Sequence, residues 1–191
     1  MGRPKMLLPW GDSSVLGHLI ARWRALGARQ IAVLCAQDDF AIGDELERLG
    51  FPAKQRIMNP APERGMFSSI QCAARWHGWF GSISHWAIAL GDQPQVRVET
   101  FVALLRLAAT HPQKLCQLTR NGRPRHPVLL PAAAFQSLRV SSHENLKQFL
   151  ASLPLERALE ESGDPGLDLD LDRPPDYESA VRTFLHAETA A

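Results

Sequence analysis

Cysteine is scarce, charge of either sign is not in excess, and no apolar run is long, and each shortage excludes a class of protein. The three cysteines among 191 residues, Cys35, Cys72 and Cys116, stand far apart with no C-x-x-C pair. That excludes a disulfide framework and a cysteine-built zinc site, and leaves free thiols in a reducing compartment. Lys and Arg number 21 against 20 Asp and Glu, a formal charge of +1, so no whole-molecule field draws in nucleic acid or an anionic membrane. Any phosphate must be met by a local cluster. No run approaches the roughly 20 apolar residues that span a bilayer, and Met1-Gly2-Arg3-Pro4-Lys5 lacks the apolar core of a signal peptide. The expectation is a cytoplasmic protein with no nucleic-acid or membrane partner.

What is present is 45% hydrophobic residues, enough to bury one core, so residues 1–191 are read as a single domain. Residues 13–25 place Val15, Leu16, Leu19, Ile20 and Trp23 three and four apart, behind Asp12 and Ser13 as caps and before Gly27. That is an amphipathic helix with both ends marked. A β-branched strand follows at 31–35, then a polar helix at 38–49 and a strand at 54–58. A helix at 68–76, a strand at 85–90 and a helix at 99–110 continue the alternation. Strands at 115–119 and 128–130 come next, with 124–131 and 165–175 read as loops or edge strands and a final helix at 175–186. Strands alternating with helices predict an α/β fold, a three-layer Rossmann-like sandwich on a mostly parallel sheet. In such sheets the first strand is central and its carboxyl end bears the phosphate-binding turn. This chain opens on a loop and a helix, so the sheet is expected to lack that strand.

The apolar run Trp86-Ala87-Ile88-Ala89-Leu90 ends in Gly91-Asp92-Gln93-Pro94, which puts a carboxylate at the carboxyl end of a strand, where open α/β sheets bind ligands. Mg²⁺ prefers one or two carboxylates completed by phosphate oxygens and water, so Asp92 is the leading metal-ligand candidate, with a helix-capping turn as the plain alternative. Leu167-Asp168-Leu169-Asp170-Leu171-Asp172 alternates acid and leucine, as a strand with one acidic face does. A bound cation would relieve its repulsion, solvent would do so at a sheet edge, and Asp172, at the turn into the last helix, is the member best placed for a site. Arg3 and Lys5 supply two cations ahead of the first helix. Asn59-Pro60 followed by Gly65-Met66-Phe67-Ser68-Ser69-Ile70 is a turn into a helix start, where amides and hydroxyls hold an anion or simply cap the helix. Arg120, Arg123, Arg125 and His126 form the local basic cluster.

In order and spacing these segments resemble the MobA-like nucleotidyltransferase family, most closely its molybdenum cofactor cytidylyltransferase branch. Met1-Gly2-Arg3-Pro4-Lys5-Met6-Leu7-Leu8-Pro9 is similar to the family's Met-Gly-x-x-Lys-x-Leu-Leu-Pro. The Asn59-Pro60 and Gly65-Met66-Phe67-Ser68-Ser69 segments resemble its nucleotide-lining Asn-Pro and Gly-Met-x-x-Ser. Leu90-Gly91-Asp92-Gln93-Pro94 resembles its metal-binding Leu-Gly-Asp-x-Pro. Arg125-His126-Pro127-Val128 is similar to Gly-His-Pro-Val on the pterin side, with Arg125 in place of glycine, and residues 170–177 resemble the closing Asp-x-Asp-Thr-Pro-Glu-Asp-Tyr. Residues 141–147 stand where the family has Gly-Asp-x-Gly-Ala-Arg.

The resemblance implies a Mg²⁺-dependent enzyme that transfers CMP from CTP to the terminal phosphate of molybdopterin and releases pyrophosphate. It implies catalytic roles for Asp92 and Lys5 and Mg²⁺ ligation by Asp92 and Asp172. Substrate contacts fall to Arg3, Asn59, Gly65, Met66, Ser68, Ser69, Arg125 and His126. The alternatives are guanylyl or other nucleotidyl transfer to another phosphorylated acceptor, and a non-catalytic pterin-binding partner of a molybdoenzyme. The family's glycine-rich loop would lie upstream of Met1, and without its amides the 191-residue chain is expected to be a weak catalyst. A form extended by that strand and loop is expected to be more stable and to bind CTP better.

Overall fold

The structure, a computed structural model, describes residues 4–185. A 3₁₀ turn at Lys5–Leu7 and a small hairpin of β1 (Pro9–Trp10) and β2 (Ser13–Ser14) lead into α1 (Val15–Ala25). Next come β3 (Val33–Ala36), α2 (Phe40–Arg48), β4 (Arg56–Asn59), α3 (Met66–Arg75) and β5 (His85–Ile88). Then follow α4 (Val98–Thr110), β6 (Leu115–Arg120), β7 (Arg123–Pro131), α5 (Ala132–Ser137), α6 (Leu146–Ser152) and β8 (Arg157–Glu161). The described chain closes with α7 (Pro174–Ala180), prolonged by a π-helical turn at Val181–Leu185. The cap of α1 is Ser14, whose hydroxyl accepts from the Gly17 amide, one or two residues beyond the expected Asp12 and Ser13. No helix among the described residues is long and apolar enough to cross a membrane.

The strands order as β3-β4 and β5-β7-β6-β8. Strands β3 and β4 run parallel, β6 and β8 run parallel, and β7 is antiparallel to both β5 and β6. The sheet is therefore mixed, where the alternation of strands and helices predicts mostly parallel pairing. The cause is local: Asn121 and Gly122 both take left-handed backbone, at φ 52 and 69. That turn sends β6 directly back as β7. The stretch 124–131, read as a loop or edge strand around a strand at 128–130, is thus most of a nine-residue strand with neighbours on both sides.

Side-chain alternation on these strands builds a core on each face of the sheet. Leu115, Val128 and Leu130 pack under Phe67 and Ile70 of α3, Phe135 of α5 and Phe149 of α6. On the opposite face Cys116, Leu118 and Leu129 meet Phe101, Leu104 and Leu107 of α4. Helices thus cover both faces, as the three-layer expectation requires.

Among the described residues no ladder joins β3 to β5. The two sheets are instead bridged by α3, which packs against residues of both, and by Gln30. Its side-chain amide donates to the Gly78 carbonyl at 2.7 Å and accepts from the Phe80 amide at 2.9 Å, spanning the entries to the two strands. The strands that flank the interruption are apolar yet incompletely covered: Leu34 is 36% exposed and Ala87 is exposed, whereas five consecutive residues of β6 are buried.

The run 167–172 is not a strand. Pro165–Asp168 forms a 3₁₀ turn and the chain beyond it is extended without joining a sheet. Its alternation nevertheless has the expected cause. Leu167 and Leu171 are 1% and 0% exposed, each worth about 1.5–3 kcal/mol of apolar burial, and that anchoring turns Asp168, Asp170 and Asp172 outward.

Candidate active site

Strand β5 delivers Asp92 to the rim of the sheet, in a loop that α1 holds from behind. An Arg22 Nη1 donates to the Pro94 carbonyl at 2.9 Å and also to the Val96 carbonyl, and its guanidinium lies 5.8 Å from the ring centroid of Phe101. One helical turn earlier stands His18, where burial, reinforced by the charge of Arg22 and opposed by the Pro94 carbonyl, pushes the imidazole pKa down to about 4. These two residues were not legible as site residues. Their only signal is a polar pair four apart on a mostly apolar helix.

Lys5 reaches Asp92 from the turn that precedes β1, with its Nζ 3.5 Å from Asp92 Oδ2. The same ammonium pairs with Asp172. Asp172 is brought there by Leu171, buried with Trp10, Val15 and Phe184, and by the Tyr177 hydroxyl, which donates to the Pro9 carbonyl. Hydrogen bonding to Asp172 raises the Lys5 pKa against the opposing effect of burial, and the same bond lowers the pKa of Asp172. Two carboxylates from chain segments 80 residues apart thus converge on a single positive point.

Beside them, Gln93 Nε2 approaches Asp170 Oδ1 at 3.5 Å. His126 follows on β7, with a cis bond to Pro127, and its Nδ1 lies 3.2 Å from the Ile88 carbonyl. Burial depresses its pKa, opposed by that hydrogen bond and by the charges of Asp92 and Asp170. A neutral imidazole therefore stands near the two carboxylates at pH 7.

Asn59 closes β4 and is 1% exposed, and its Nδ2 donates to Ser68 Oγ at 2.8 Å and Ser69 Oγ at 2.9 Å. Ser68 Oγ in turn donates to the Gly65 carbonyl at 2.8 Å. Gly65, at φ 80, sets the entry to α3. Ser68 is thus buried and engaged inside the protein, while Ser69 is half-buried and Met66 is exposed. Arg125 is drawn away from the Asp92 pair: it and Arg120 both bind Asp168, to which Asn121 also donates. The basic cluster is therefore partly neutralised from within, and Arg123 is its exposed member. Arg3 lies outside the described residues.

Among the described residues no group of three or more His, Cys, Asp and Glu forms a ready-made metal cage. The Asp92 and Asp172 carboxylates, already gathered around one ammonium, fit a hard dication of the kind bound by one or two carboxylates and completed by phosphate and water. The three aspartates of the acidic run find three separate partners, Arg120 with Arg125, Gln93, and Lys5, so their mutual repulsion is relieved one by one.

The model of the MobA-like NTP transferase domain matches residues 1–158. The chain belongs to this family. A nucleotidyltransferase fold carries the site, and the chain is an enzyme of the nucleotidyltransferase class. Among solved structures it is similar to the Rv0371c homolog from Mycobacterium sp. strain JC1, at 19% identity, TM-score 0.74, covering 98% of this chain and 91% of that one. It is also similar to Rv0371c of Mycobacterium tuberculosis, solved as a complex with manganese, at 22% identity, TM-score 0.67 and coverage of 95% and 94%. Molybdopterin-guanine dinucleotide biosynthesis protein A from Archaeoglobus fulgidus aligns at 12% identity, TM-score 0.64 and coverage of 100% and 93%. At these identities the likeness is one of fold. No curated protein matches the chain by sequence.

Proposed function

We propose that this nucleotidyltransferase transfers CMP from CTP to the terminal phosphate of a molybdopterin-type acceptor in the cytoplasm, with Mg²⁺ as cofactor. The observation that carries the reading is the convergence of Asp92 and Asp172 on the Lys5 ammonium at the carboxyl end of β5. An oxygen of the acceptor phosphate attacks the α-phosphorus of CTP in line, the bond to the β-phosphate oxygen breaks, and pyrophosphate leaves. No protein nucleophile is required, so the work is positioning and charge neutralisation.

Asp92 and Asp172 would hold the Mg²⁺, which when bound supplies charge neutralisation at the phosphates. Lys5 and Arg3 meet the triphosphate. Ser69, ordered by Asn59, and the backbone of Gly65 and Met66 line the nucleotide side, with Ser68 shaping that wall from within. His126, neutral at pH 7, faces the acceptor, and Arg125 borders it while held by Asp168. The manganese complex of Rv0371c supports a divalent cation in this fold.

The test is turnover of CTP, GTP, ATP and UTP with a molybdopterin-type acceptor, followed by pyrophosphate release. CTP is expected to be used best. Preference for GTP would redirect the reading to guanylyl transfer, and acceptor binding without turnover of any nucleotide would redirect it to a pterin-binding partner.

A further inference from the structure

The loop that carries Asp92 and the extended segment that carries Asp172 are riveted together beneath the site by one buried amide. Gln95 is 2% exposed, and its Nε2 donates to the Gly166 carbonyl at 3.0 Å and to the Leu169 carbonyl at 2.8 Å. A single side chain thus grips the acidic segment at two points, three residues apart. Its own backbone is fixed on both sides, because Arg22 holds the carbonyls of Pro94 and Val96. Packing is tight at the junction: a Cβ on Gly166 would lie 2.7 Å from the Gln95 carbonyl oxygen. Asp164 closes the joint, accepting from the amides of Gly166 and Arg97, each at 2.8 Å, and from the Thr100 hydroxyl at 2.6 Å.

We infer that Gln95 is a positioning residue that fixes the spacing of Asp92 and Asp172, and hence the affinity of the pair for a divalent cation. It reaches neither the Asp92 nor the Asp172 carboxylate among its hydrogen bonds and acts through the backbone of residues 166–169. The inference rests on the reading of Asp92 and Asp172 as one cation-binding pair. Residues that orient metal ligands from behind are commonly worth about 10–100-fold in metal affinity.

The test is Mn²⁺ binding by the 191-residue chain, read by calorimetry and by the electron paramagnetic resonance of free Mn²⁺, with thermal melts in parallel. Gln95→Met, nearly isosteric but without the donor, is expected to weaken Mn²⁺ by about tenfold. Gly166→Ala, which pries the same joint apart from the other side, is expected to do the same. Gln71→Met is the control for lost packing: Gln71 is buried and donates to the Ser141 carbonyl at 2.8 Å, away from the aspartates. That variant is expected to lower the melting temperature and leave Mn²⁺ affinity unchanged.

A double-mutant cycle then separates positioning from general weakening. Asp172→Asn is expected to weaken Mn²⁺ in the wild-type background and to have little further effect once Gln95 is Met. An additive effect of Asp172→Asn in both backgrounds, or Gln95→Met and Gln71→Met acting alike, would overturn the inference while leaving the carboxylate pair intact. Failure of the wild type to bind Mn²⁺, or indifference of binding to both Asp92→Asn and Asp172→Asn, would overturn the pair and the inference together.

Discussion

Asp168 and Asp172 are one helical turn's worth of sequence apart in a repeating Leu-Asp pattern, yet the protein uses them for opposite ends. Asp168 sits between Arg120 and Arg125 with Asn121 beside it, so its charge is spent inside the structure, tying the β6-β7 hairpin to the C-terminal segment. Asp172 is 66% exposed along its side chain and shares one lysine with Asp92, so its carboxylate stays at the surface. Equal residues at equal spacing are therefore not equal sites. The surroundings, two guanidiniums against one shared ammonium, make one carboxylate a fastener and leave the other exposed beside Asp92.

The sharpest way to break this comparison begins with the partner that only Asp172 has. Asp92→Asn keeps the shape of the loop and removes a carboxylate charge, and is expected to lower nucleotidyl transfer by about 100-fold or more with little change in melting temperature. Steady-state pyrophosphate release and a thermal melt decide it, and turnover like the wild type removes Asp92 from the chemistry. Next, Asp172→Ala is expected to cost about 10–100-fold in cation-dependent activity. Asp168→Ala should instead cost stability, about 1 kcal/mol, by leaving two guanidiniums without their shared partner. Equal, small effects from both on activity would return the whole run to the role of a solvated face.

A smaller effect lies in pH. The Asp172 pKa is held below its ordinary 3.8 and that of Lys5 above its ordinary 10.5, mainly through their mutual hydrogen bond. The pair's contribution to stability is thus complete above the ordinary carboxylate value and is lost as pH falls through the depressed one. On the other side it is complete below the ordinary lysine value and is lost as pH rises through the raised one. Lys5→Met is expected to shrink both limbs in denaturation curves measured across pH, and unchanged limbs would show that the pair forms only transiently. The smallest effect is that of Tyr177→Phe, which removes the hydroxyl bonded to the Pro9 carbonyl. A loss of about 1 kcal/mol is expected, with a modest fall in activity as Asp172 loosens against Lys5, read by chemical denaturation and turnover on the same samples.

The sequence made the frame legible because its signals are local. The apolar run into Gly91-Asp92 announces a strand with a carboxylate at its end, and the alternation at 167–172 announces which side chains go in and which go out. It also announced a strand there, and that was wrong because period-two burial needs only an extended backbone against a core, as Leu167 and Leu171 supply. The antiparallel direction of β7 rests on two residues alone, Asn121 and Gly122, whose left-handed turn is a far weaker signal in sequence than the strand–helix alternation around it. The brace of Arg22 and Gln95 is not readable at all. Their acceptors are backbone carbonyls more than 70 residues away, and a carbonyl leaves no mark in sequence.

Lys5 and Asp172 meet across 167 positions of chain, which gives this site an order in time. As the protein emerges from the ribosome, the helices and strands up to β8 can gather while the site still lacks one of its carboxylates. Only when the segment around Leu171 docks against Trp10 does Asp172 arrive beside Asp92. A break in the chain before Leu171 would therefore leave most of the core in place and take Asp172 away from Lys5.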